Sequence, residues 1–235
     1  MNHLPRLLSV FLVCTISQIS AAEFANLDFE QADPQLLEQD PGPFGTSGPT
    51  LTRLPHWTFW IGEEQQATVG FNRATVDGPS TSLHDLRAYG PAFNLYPSPP
   101  FQGSFGFIFR SQAASPDVLP SLRQTATIPK DAKTITIHVF GDPIRVFIND
   151  QPIPISYQLI QGGKPTPPYL PMTLAFGDIS AHAGKKASLR IEPDAANSTR
   201  TFTGIDLIAF SSDVIVKPDI VLIDEGDPIV LRRLK

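Results

Sequence analysis

Lys133-Thr134-Ile135-Thr136-Ile137-His138-Val139 decides the fold class. Ile135, Ile137 and Val139 recur at every second position, which sends them to one face of a strand and His138 to the other. The same period runs through Ile144, Val146 and Ile148. Asn149-Asp150-Gln151-Pro152 then supplies a turn, because Asn and Asp tolerate the backbone angles that a tight hairpin needs. Ile153 and Ile155 begin a return strand, so residues 144–157 read as a hairpin. Leu189 and Ile191 alternate with Ser188, Arg190 and Glu192, and Phe105, Phe107 and Phe109 share one face of another strand. Trp57 to Ile61 and Phe202 to Phe210 bring the list to about eight or more short strands, the pattern of a sandwich or barrel.

Composition agrees. Proline accounts for 24 of 235 residues, roughly twice the usual ~5%, and the prolines are scattered along the chain. Hardly any window can hold a long helix, which excludes a helix bundle, a coiled coil and a doubly wound α/β sheet. Helix is expected only as brief turns, at Ser82 to Tyr89 and at Asp178 to Ala183. Glycine shows no period of three and apolar residues are plentiful, so collagen and plain disorder are excluded as well. Pro91 to Pro100 and Gly162 to Pro171 read as loops, and there is no internal repeat.

The first residues have the order of features of a secretory leader. Arg6 supplies the positive charge, Leu7 to Ile16 a short apolar run, and Ser20-Ala21-Ala22 the small residues before cleavage. Residues 1–22 are therefore expected to be a signal peptide, and the mature protein to be exported to the periplasm or beyond. Val13 before Cys14 does not suit a lipoprotein site, so Cys14 reads as filler and no membrane anchor is expected. Without the leader the chain has no cysteine, hence no disulfide.

Acidic residues outnumber basic ones, 23 to 18, for a net charge of −5. Basic residues stand singly apart from Lys185-Lys186 and Arg232-Arg233. Nucleic-acid binding needs a clustered positive footprint, and this pattern excludes it.

Several motifs, in order, resemble those of bacterial exported galactose-binding-like jelly-roll domains, the sandwiches that include carbohydrate-binding modules. Asn26-Leu27-Asp28-Phe29-Glu30 followed by Leu54-Pro55-His56-Trp57 resembles their "N-x-D-F-E … L-P-G-W" opening. Gly103-Ser104-Phe105 is similar to their "G-S-Y" strand, and Ser121 to Lys130 to their "I-S-Q-T … I-P-A-G" strand and turn. Gly177 to Gly184 resembles "D-L-S-A-Y-A-G", and Gly204-Ile205-Asp206-Leu207-Ile208 the closing "I-D-D-I", with Leu207 replacing the second Asp. The resemblance covers residues 24–212. It implies one all-β jelly-roll sandwich over residues 23–212. Residues 213–235 form a C-terminal extension, either as added edge strands or as a segment awaiting a protein partner. Uncharacterised look-alikes carry a C-terminal sorting tail with an apolar helix; Pro228-Ile229-Val230-Leu231-Arg232-Arg233 has none, so their anchoring is not implied.

The resemblance also implies one structural calcium ion between the first and last strands. Glu30 and Asp206 match its ligand positions, with Asp28 nearby; calcium takes hard oxygens of this kind. The alternative for Glu30 is a hydrogen bond to neighbouring backbone. For sugar binding the candidates are Trp60, Tyr89, Phe93 and Tyr96, since such modules stack pyranose rings on aromatics. Trp57 and Trp60 lie three apart, so one is expected in the core and the other exposed. Tyr89, Phe93 and Tyr96 either form a platform in the Pro-rich loop or peg that loop to the sandwich.

Catalysis has little support in the sequence. No G-x-S-x-G elbow occurs, and His56, His84, His138 and His182 lack the spacing of a zinc site. His84-Asp85 reads as a turn pair and His138 as a solvent-facing strand residue. The expected function is non-catalytic extracellular binding, of a glycan or other extracellular polymer. The alternative is a structural envelope or matrix protein that meets protein partners through its tail. A hydrolase built on distant carboxylates is the third reading.

Overall fold

A computed structural model describes residues 22–38, 46–71, 83–88, 103–111, 119–161, 172–194 and 201–215. Among them the chain is all-β, with one four-residue helix, α1 (Thr50–Arg53), and two 3-10 turns at Pro34–Glu38 and Ser180–His182. The strands are β1 (Thr46–Pro49), β2 (Thr58–Ile61), β3 (Glu64–Gln66), β4 (Thr68–Phe71), β5 (Leu83–Ala88), β6 (Phe105–Ser111) and β7 (Pro120–Thr127). They continue as β8 (Thr134–Gly141), β9 (Ile144–Ile148), β10 (Gln151–Ile153), β11 (Ser156–Gln161), β12 (Met172–Asp178), β13 (Lys186–Pro193) and β14 (Thr201–Ser211).

Two sheets result. One has eight strands in the order β1-β4-β5-β6-β14-β8-β12-β11, the other six in the order β10-β9-β13-β7-β2-β3. All neighbours pair antiparallel except β4 and β5, which run parallel. The alternation in β8 sends Ile135, Ile137 and Val139 into the space between the sheets, where they meet Ile144, Val146, Ile148, Leu189 and Ile191 from the opposite sheet. Phe105, Phe107 and Phe109 also face inward, and Phe107 packs edge-on against Phe109 with centroids 5.0 Å apart. A buried aliphatic or aromatic side chain contributes about 1.5–3 kcal/mol, so this shared interior holds the two sheets together.

The turn at Asn149-Asp150 forms as the sequence indicates, with both residues at positive φ (52° and 61°). The hairpin is shorter than expected, because the return strand ends at Ile153 and Pro154 has no amide hydrogen to extend the ladder. Beyond it β11 pairs with β12 in the other sheet. The Tyr157 hydroxyl secures that crossing, donating to Ile144 O and accepting from Ile144 N, each at 2.9 Å. Burial raises the Tyr157 pKa.

Two further expectations need correction. Residues 83–88 are not a helical turn; they form β5, paired with β6 from Leu83↔Arg110 to Ala88↔Phe105. A six-residue segment gains little from isolated helix, and a full ladder to a core strand outweighs it. His84 and Asp85 are thus strand residues. His138 is half-buried rather than solvent-facing; its Nδ1 is buried without a hydrogen-bond partner, and burial lowers its pKa. The expected turn at Asp178 to Ala183 is present as the 3-10 turn Ser180–His182. Asp178 leads into it, accepting from Ser180 N at 2.8 Å and Ser180 Oγ at 2.7 Å, and those bonds lower its pKa.

Candidate functional site

The opening motif is a structural joint. Asn26, at φ 51°, donates from Nδ2 to Pro55 O at 3.0 Å and accepts from Gln31 N at 2.9 Å. Its carbonyl takes the indole N–H of fully buried Trp57 at 2.8 Å. Asp28 accepts from Glu30 N at 3.3 Å, and Phe29 enters the core against Trp57. Glu30 Oε1 accepts from Ser104 N and Phe105 N, both at 2.8 Å. At the far end of the chain β14 carries a bulge between Asp206 and Ala209, with Leu207 at φ 46°. Asp206 is fully buried and its Oδ1 accepts from Leu207 N at 2.7 Å, while Ile208 N donates to Leu27 O at 2.9 Å.

The three carboxylates expected at a calcium ion therefore each receive backbone N–H groups. Among the described residues no three His, Cys, Asp or Glu side chains are grouped to hold a metal. Glu30 makes the backbone hydrogen bonds of the alternative reading.

The two tryptophans divide as their spacing indicates. Trp57 is core, and Trp60 is half-buried on the outer side of β2, opposite core residue Phe59. Trp60 Nε1 donates to Thr58 Oγ1 at 2.9 Å, and the Arg123 guanidinium lies over the ring, 4.4 Å from its centroid. The indole is thus not a bare platform. Arg123 also donates to Ser121 Oγ (3.2 Å) and Gly62 O (3.1 Å) and lies 3.8 Å from the exposed Glu63 carboxylate. Tyr89, Phe93 and Tyr96 lie outside the described residues, as do residues 1–21 of the leader and residues 216–235 of the extension.

Alternation places further groups beside Trp60. Leu122, Leu189, Ile191, Val146 and Ile148 point into the core, so Arg123, Arg190, Glu192, Arg145 and Phe147 share the opposite face of the six-stranded sheet. Arg190 lies over Phe147 with its Cζ 3.8 Å from the ring centroid. Glu192, 6% exposed, is held between Arg190 Nη1 at 2.5 Å and Arg145 Nη2 at 2.6 Å. Guanidinium–aromatic and guanidinium–carboxylate contacts of this kind lock rotamers, so the face is rigid. It offers cationic donors and ring surfaces on strands, which suits recognition of a ring-bearing ligand. The outward position of each of these residues was legible from alternation. That β9, β13, β7 and β2 stand side by side was not, because the order joins segments far apart in the chain.

His56 sits in the turn before β2, His138 in mid-β8 and His182 in the 3-10 turn. They occupy separate elements, as the sequence spacing indicates.

No family model matches the chain, and no curated protein does. Among solved structures the chain is similar to a Stig cyclase from Fischerella sp. TAU in complex with an indole compound. The two are 16% identical over 80% of this chain and 94% of that one, with a TM-score of 0.46. An apo cyclase from Fischerella sp. matches at 14% identity, 80% and 93% coverage and TM-score 0.47. The enzymatically active domain of bacteriophage CBA120 tailspike protein 4 matches at 10% identity, 72% and 21% coverage and TM-score 0.34.

Proposed function

We propose that this chain is an exported, non-catalytic binding protein that takes a glycan across the outer face of its six-stranded sheet. The sandwich is read as a galactose-binding-like jelly roll on the order of its motifs, and export on Arg6, the apolar run and Ser20-Ala21-Ala22. The observation that carries the binding reading is Trp60. Its indole is half-buried on a rigid outer strand, oriented by Thr58 and backed by Arg123, with Phe147 on the same face. Sites on strands hold geometry better than sites on loops.

A glycan-array screen of the full chain, followed by titration of Trp60→Ala, tests this. Trp60→Ala should weaken glycan binding several-fold, about 1 kcal/mol, and also lower the thermal midpoint, because the contacts to Thr58 and Arg123 are lost with the ring. A chain that binds no glycan overturns the reading.

One observation favours a second reading, a structural protein with protein partners. Among the described residues β11 is the edge of the eight-stranded sheet, and it exposes Leu159 (60%) and Ile160 (47%); edge strands can pair with other chains. Sedimentation of the parent and of Leu159→Lys distinguishes it, since a partner at this edge would be lost in the variant.

A further inference from the structure

Arg123 on β7 and Arg190 on β13 are direct partners in the antiparallel ladder. Both point outward, and like charges at directly opposed positions destabilise a sheet. Each guanidinium leans onto a different aromatic, Arg123 onto Trp60 and Arg190 onto Phe147. The outcome is a band, Phe147, Arg190, Arg123, Trp60, that crosses β9, β13, β7 and β2, with Trp60 diagonal to Arg123, whose direct partner on β2 is Thr58. Three strand spacings make it about 14 Å long, which suits an extended chain of rings rather than a lone ion.

Three arginines meet three acids on this face, and the acids differ in how firmly they are held. Glu192 is buried and shared between Arg190 and Arg145. Arg190 Nε is buried and has no hydrogen-bond partner; Asp150 Oδ1 lies 3.5 Å away. The two remaining acids, Glu63 and Asp150, have side chains 94% and 84% exposed, so their pairing with the arginines is weak and easily displaced.

We infer that the polymer bound on this face is an anionic polysaccharide, its carboxylate or sulfate group held between Arg123 and Arg190 and its rings lying along Trp60 and Phe147. This rests on the glycan-binding reading above and adds the ligand's charge. A planar guanidinium pair is suited to the oxygens of such a group.

Calorimetric titration of the full chain with polygalacturonate and dextran sulfate, each beside its neutral counterpart (methyl-esterified polygalacturonate and dextran), tests the inference. The charged polymers should bind at least about tenfold more tightly than the neutral ones, the worth of one charge-assisted hydrogen bond. Arg123→Gln should remove about that factor for the charged polymers only. Glu63→Gln combined with Asp150→Asn, both at exposed positions, should strengthen binding several-fold by removing competing carboxylates; this holds the test open if Arg123→Gln does not fold. Equal affinity for charged and neutral polymers overturns the inference and leaves glycan binding standing. Equal affinity for single-stranded DNA overturns it in favour of a general polyanion surface. Binding of none of the polymers overturns both this inference and the function beneath it.

Discussion

Gly103 and the Glu30 carboxylate fit together so closely that a Cβ on Gly103 would lie 2.4 Å from Glu30 Oε1. Gly103 adopts φ +70°, which turns the next two amides toward that carboxylate. The N-terminal turn is thereby joined to the start of β6. The "E" and the "G-S" of the resembled motifs are the two halves of this one contact.

Gly103→Ala should accordingly destabilise the protein by roughly 2 kcal/mol, from the left-handed backbone and the displaced carboxylate. Glu30→Ala should cost about 1–2 kcal/mol through two lost charge-assisted hydrogen bonds. Because both changes break the same contact, the double variant should lose less than the sum. Urea unfolding of the three variants checks this, and simple additivity would show that the two residues act separately.

His56 occupies the position where the resembled motif has glycine, and it does so at φ +71°. An L-residue in that region is strained by about 1–2 kcal/mol, while glycine is not. His56→Gly should therefore raise stability by about 0.5–1 kcal/mol after the entropy that glycine gains in the unfolded chain. A lower denaturation midpoint would show that the exposed imidazole makes a contribution of its own.

Glu192 makes its two arginine partners unequal. The Arg190 side chain is 19% exposed and that of Arg145 43%. Arg190→Ala should cost about 3 kcal/mol, since it leaves a buried carboxylate half-paired and uncovers Phe147. Arg145→Ala should cost about 1 kcal/mol or less. Thermal melts of the two variants compare them directly, and equal losses would contradict the asymmetry.

His138 gives stability a pH dependence whose sign follows from burial. Its pKa is depressed below its ordinary 6.5 in the folded state, so the unfolded chain binds its proton first. The contribution is complete above that value and is lost as pH falls through it toward the folded pKa. Melting temperature should drop between about pH 7.5 and about pH 5.5, and His138→Gln should flatten that drop. Parallel curves for parent and variant would assign the dependence elsewhere.

Alternation alone made the faces legible. Ile135, Ile137 and Val139 had to share a side because a pleated strand has a period of two, and the same rule set Arg123, Phe147 and Arg190 opposite the core. The Asn149-Asp150 turn was readable for an equally local reason, the tolerance of those two residues for positive φ. Residues 83–88 were misread because a short polar-apolar segment has no decisive local preference, and pairing with β6 selected the strand. The candidate site was readable residue by residue but not as a site. Trp60 meets Arg123 across 63 positions of sequence and Phe147 meets Arg190 across 43, and those meetings depend on which strands become neighbours. Strand order follows from the folding of the whole sandwich, in which each strand needs a partner ladder and the shared interior must fill. Sequence by itself determined the all-β pattern, the inward faces of its alternating strands and the turn at Asn149-Asp150. Only the tertiary structure decided that two arginines would stand side by side between two aromatic rings.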